Sequence, residues 1–124
     1  MYELKIIKYF AAAHQLKLER SKCENLHGHN WKIELFVSGK KLDKSGLLID
    51  FSVLKKHLDK IIDELDHTFL NDIAYFQNSP SSEIIAKYIA EKMDSLLDVP
   101  GVHISRVTAW ESEDACATFY TNNV

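Results

Sequence analysis

A chain of 124 residues can remove roughly two-thirds of its unfolded-state surface from water as one domain, residues 1–124, without disulfides. It is 46% apolar and 27% charged, and its net charge of −3, with no Lys/Arg block, argues against a nucleic-acid or anionic-membrane partner. Two cysteines are too few for a disulfide scaffold and point to a reducing, cytoplasmic setting.

Tyr2 to Phe10 alternates loosely and is rich in Ile, Tyr and Phe, which predicts a first strand. With Glu3, Lys5 and Lys8 inside it, this run reads as a strand and not as a signal peptide, and no apolar stretch approaches the ~20 residues that span a bilayer. Ala11-Ala12-Ala13 then leads to His14. Three small side chains either leave room around the imidazole or pack against a helix. Gln15 to Lys22 has the polar profile of a loop.

The stretch Cys23-Glu24-Asn25-Leu26-His27-Gly28-His29 carries the densest chemistry of the chain. Histidines one residue apart point to the same side of an extended backbone. If the first strand pairs with the next as an antiparallel hairpin, His14 joins His27 and His29 at one edge. Three neutral imidazoles with an open position make a catalytic zinc site; with Cys23 as fourth ligand they make a closed, structural one. Spacing alone leaves both open.

Trp31, Ile33, Leu35 and Val37 fall on one face of the following strand, with Lys32, Glu34 and Ser38 opposite and Phe36 breaking the alternation. Gly39 to Gly46 is a turn-rich connection, and Leu47-Leu48-Ile49 reads as a short strand or bulge. Asp50 is placed to cap a helix whose apolar face is Leu54, Leu58, Ile61, Ile62 and Leu65. His57 sits on its flank as a surface residue. Asp66-His67, taken alone, reads as a helix C-terminus with a cation in its last turn. Ser79-Pro80-Ser81-Ser82-Glu83 opens a second helix with a capping hydroxyl, an early proline and an acidic first turn. Pro100-Gly101 ends it. Val102 to Glu111 and Cys116 to Tyr120 are strands joined by a turn, with Cys116 a small strand side chain. The order ββααββ predicts an α+β fold: one antiparallel four-stranded sheet with two helices on one face.

Five motifs, in this order, resemble the 6-pyruvoyl tetrahydropterin synthase family over essentially the whole chain. They are Phe10-Ala11-Ala12-Ala13-His14; Cys23-x3-His27-Gly28-His29; Leu65-Asp66-His67 with Leu70-Asn71-Asp72; Ser79 to Glu83; and Trp110-Glu111-Ser112. The three-residue gap after Cys23 is similar to the 6-carboxytetrahydropterin synthases of queuosine biosynthesis; animal-type pyruvoyl synthases usually have a longer one. The resemblance implies zinc held by His14, His27 and His29, with Cys23 as general acid/base. It implies a relay of Asp66 and His67 contributed across a subunit boundary. Glu111 would anchor the pterin ring, and Ser81, Ser82 and Glu83 would belong to the pterin pocket, where serine stands for the family's more usual threonine. The implied substrate is dihydroneopterin triphosphate, cleaved to 6-carboxytetrahydropterin with loss of acetaldehyde and triphosphate. The implied assembly is a homo-oligomer of the tunnelling fold, whose sheets close into a barrel, as a hexamer (a dimer of trimers) or related ring. A pyruvoyl-type product, and a non-catalytic domain with a closed zinc site, are the alternatives.

Overall fold

The computed structural model describes residues 1–16, 26–76 and 79–122, and of His27 the main chain alone. Its elements in chain order are β1 (Tyr2–His14), β2 (His27–Gly39), α1 (Phe51–Leu65), β3 (Thr68–Phe69), a 3-10 turn (Leu70–Asp72), α2 (Ser82–Leu96), β4 (Val102–Ser112) and β5 (Ala115–Tyr120). The sheet order is β3-β1-β2-β4-β5.

Among the described residues, the predicted sheet of four strands is therefore a sheet of five. The extra strand, β3, pairs in parallel with β1 through Ala12↔Thr68 and Ala13↔Phe69. Two residues carry no periodicity of their own, so only the partner defines them as strand. The first strand also runs on through the three alanines as far as His14. Leu47–Ile49 forms no strand; Leu48 and Ile49 are buried in the core all the same.

β1 and β2 form a long antiparallel pair from Tyr2↔Gly39 to His14↔His27. The alternation of β2 is realised in full. Trp31, Ile33, Leu35 and Val37 are all 0% exposed and face the helices. Each such side chain contributes roughly 1.5–3 kcal/mol through burial. Against them pack Leu54, Leu58, Ile61, Ile62 and Leu65 of α1, and Ile85, Ile89 and Met93 of α2. The Asp50 carboxylate caps α1 by accepting from the Ser52 amide at 2.8 Å. In α2 the cap is Ser81, whose hydroxyl accepts from the Ile84 amide at 3.2 Å.

Phe36, the residue out of step, lies on the face turned away from the helices. The Arg106 guanidinium covers it, 3.8 Å from the ring centroid, and the β2–β4 register shifts between Phe36 and Val37. On the same face Trp110 Nε1 donates to Glu34 at 2.6 Å, and Lys5 pairs with Glu34 at 3.3 Å. Among the described residues no helix is long and apolar enough to cross a membrane.

Candidate active site

The antiparallel register of β1 and β2 brings His14 opposite His27 and Ala12 opposite His29, at the same end of the sheet. β4 lies on the other side of β2, and its last residues carry Glu111 to that end. His14 Nε2 lies 3.1 Å and His29 Nε2 2.9 Å from the same carboxylate oxygen, Glu111 Oε1. One ligand atom from each of these three residues lies within 4.8 Å of the other two, close enough to hold one metal ion.

His14 is 1% exposed, and its other ring nitrogen, Nδ1, donates to the Pro80 carbonyl at 2.9 Å. A carbonyl only accepts, so the proton of a neutral ring sits on Nδ1 and the Nε2 lone pair faces Glu111. Two acceptors at 3.1 Å call for a positive charge between or beside them: a second proton on the ring, or a metal ion. An imidazole held by one nitrogen on a backbone carbonyl, with the other presented to a cation, is the usual arrangement of a metal-ligating histidine. The donor set fits zinc.

Trp31 supports both imidazoles. Its ring lies edge-on to His14 and His29 at centroid distances of 5.1 and 5.6 Å, and stacks on Phe10 at 6.0 Å. Its buried Nε1 has no hydrogen-bond partner among the described residues, a vacancy that typically costs about 1–3 kcal/mol.

Asp66 and His67 form a second polar group. Asp66 Oδ1 accepts from the Ala11 amide at 2.9 Å, and Oδ2 lies 3.0 Å from His67 Nδ1. The Ala11 amide holds the Asp66 carboxyl below the usual carboxylate range against the opposing effect of burial, with His67 adding to the shift. The His67 amide donates to the Ala11 carbonyl at 2.6 Å, and its backbone is left-handed at φ 58°. Its side chain is 83% exposed and lines a cavity of ≈ 440 Å³ with Ala11, Ala12, Ala13, Gly28 and His29.

The structure thus brings together His14, His29 and Glu111, with Asp66 and His67 as a second pair whose cavity His29 also lines. The start of α2 adjoins the first group through Pro80, while the Ser81 hydroxyl is engaged in capping; Ser82 and Glu83 form the first turn. Cys23 and the His27 side chain lie outside the described residues. Motif reading missed Pro80, which acts through its carbonyl, a group that every residue has.

Comparison with known proteins identifies the family. The family model described as 6-pyruvoyl tetrahydropterin synthase matches residues 3–122. A Synechocystis protein named 6-carboxy-5,6,7,8-tetrahydropterin synthase is 42% identical over 99 residues, covering 76% of this chain and 75% of the relative. A Pyrococcus furiosus protein named dihydroneopterin monophosphate aldolase is 39% identical over 106 residues, covering 85% of each. The solved structure of Caenorhabditis elegans 6-pyruvoyl tetrahydropterin synthase superposes with a TM-score of 0.86 at 27% identity, covering 98% of this chain and 96% of that one.

Proposed function

Because the chain belongs to the 6-pyruvoyl tetrahydropterin synthase family, and so to enzymes with lyase-type catalysis on pterins, we propose that it is a zinc-dependent 6-carboxytetrahydropterin synthase. Its substrate in this reading is dihydroneopterin triphosphate, its by-products acetaldehyde and triphosphate, and its pathway queuosine biosynthesis. All 124 residues act as one synthase-type domain. The observation that carries the reading is the pair of acceptors, His14 Nε2 and Glu111 Oε1, turned toward one another at 3.1 Å where a cation is called for.

His14, His27 and His29 would hold the metal. Bound there, zinc supplies a Lewis acid for the hydroxyls of the substrate side chain. The Asp66 carboxylate accepts from His67 Nδ1–H, which leaves the Nε2 lone pair of a neutral ring exposed and able to take a proton. Cys23 serves as the general acid/base beside the metal. Glu111 anchors the pterin by accepting from the 2-amino group and a ring nitrogen, and Ser81, Ser82 and Glu83 border the pocket. Its contacts with His14 and His29 favour a second role for Glu111, as a metal ligand whenever the pterin is absent.

His67 is exposed and lines a cavity together with His29, whereas His14 is buried. The exposure of His67 supports a relay serving the site of another copy. So does the sheet: β5 is an edge, and most of β1 beyond β3 is an edge too. Copies pairing along these edges would close the barrel of a homo-oligomer, a hexamer or related ring.

The 39% identical relative named dihydroneopterin monophosphate aldolase favours a second reading, in which the substrate carries one phosphate. Incubation with the mono- and triphosphates, followed by product analysis, tests both. The proposal expects 6-carboxytetrahydropterin and acetaldehyde from the triphosphate. A pyruvoyl product without acetaldehyde, or turnover of the monophosphate alone, would overturn it.

A further inference from the structure

The β1–β3 ladder, which reaches the site, ends before it should. Its parallel register pairs Ala12 with Thr68 and Ala13 with Phe69; continued by two residues, it would pair Gln15 with Asn71. The main chain cannot continue it, because Leu70–Asp72 turns into a 3-10 helix. The Asn71 side chain takes its place. Its Oδ1 accepts from the Gln15 amide at 2.9 Å, and its Nδ2 donates to the Gln15 carbonyl at 2.7 Å. In a parallel pair, one residue turns both its N–H and its C=O toward the neighbouring strand. A carboxamide carries the same donor and acceptor as a peptide group, so it satisfies both at once.

We propose that Asn71 is a positioning residue for His14, its carboxamide standing in for a strand that has turned away and fixing the main chain next to the imidazole. The inference rests on the metal-site reading. His14 is then held on each available side: β2 pairs it with His27, Asn71 clamps the residue after it, and Pro80 holds Nδ1. The clamp is specific to asparagine. Aspartate offers no donor to the Gln15 carbonyl, alanine offers neither group, and glutamine is one methylene too long for the same span.

The test uses the full chain and zinc alone, titrated against a chromophoric chelator. Asn71→Ala should bind zinc about tenfold more weakly or worse, the usual loss when an outer support of a metal-ligating histidine is removed. Thr121→Val is the comparison. It loses hydroxyl bonds to the Ile104 and Ser105 carbonyls (2.6 and 3.1 Å), toward the opposite end of β4, and should lower the melting temperature without changing zinc affinity. Asn71→Asp, which keeps the acceptor, should fall between wild type and Asn71→Ala, and it serves if the alanine variant does not fold. A metal-free readout stands beside these: the His14 Nδ1 proton, followed by NMR, should exchange with solvent faster in both Asn71 variants. Wild-type zinc affinity with an unchanged Nδ1 proton in Asn71→Asp would overturn the proposal, as would an equal loss of zinc affinity in Thr121→Val. If the wild type takes up no zinc while the Nδ1 proton still depends on Asn71, the metal reading falls and the clamp stands.

Discussion

The Pro80 carbonyl and His14 Nδ1, 2.9 Å apart, decide which nitrogen of that ring is offered to a metal. The opening of α2 thus orients an imidazole carried on β1. Removing the imidazole, or its neighbour on β2, should abolish the site. His14→Ala and His29→Ala are each expected to lose zinc and turnover together, because the remaining imidazoles make a poor site. Elemental analysis of the purified variants reads the zinc; a full complement in either would mean the wrong ligands.

Glu111→Gln separates the two roles open to that carboxylate. As the pterin anchor, the amide would place a donor where the pterin already donates, weakening substrate binding by about 1–3 kcal/mol, with zinc still held by the imidazoles though less tightly than with the carboxylate. That is the expected result. A fall in zinc affinity with an unaltered Michaelis constant would assign Glu111 to the metal instead.

Cys23→Ala separates an open site from a closed one. A general acid/base at that position predicts one zinc per chain, normal folding and a turnover reduced ~10²–10⁴-fold. A fourth ligand predicts lost zinc and a lower melting temperature, since binding energy at a structural site is folding energy. Zinc analysis, thermal melting and product assay on one preparation distinguish them, and the first outcome is expected.

Where side chains alternate over several residues, the sequence was readable. Trp31 to Val37 and the face from Leu54 to Leu65 lie where period two and period 3.6 put them, and Asp50 caps as its position suggested. The convergence of His14 with His29 followed from pairing two strands. What escaped is set by tertiary partners. Thr68-Phe69 becomes strand only because Ala12 and Ala13 lie alongside. Glu111 meets His14 across 97 residues, a contact no local pattern records. Asn71 stood in a recognisable motif, yet nothing in that motif said that its amide would complete a ladder.

Asp66 gives the fold an acid limb. Its carboxyl titrates below the ordinary value of 3.8, chiefly through the Ala11 amide, so its contribution is present above that value and fades as pH falls through the lower, folded one. Asp66→Asn should therefore lower the melting temperature near neutrality and flatten its decline below about pH 4, so that variant and wild type converge in acid. Melting curves taken from pH 6 to pH 3 check this. An acid limb as steep as that of the wild type would show that other carboxylates set it.

At His67 the main chain is left-handed, φ 58°, with an imidazole where glycine is the comfortable residue. Relief of that conformation is worth about 1–2 kcal/mol, whereas glycine's freedom in the unfolded chain costs back about 0.5–1 kcal/mol. His67→Gly should thus melt at or slightly above the wild-type temperature while losing turnover, and His67→Ala, which keeps the strained backbone, should gain nothing. On that balance the fold would lose little without this ring, whose contact with Asp66 is exposed. A corner so easily improved marks a place where the molecule answers to its chemistry ahead of its own durability.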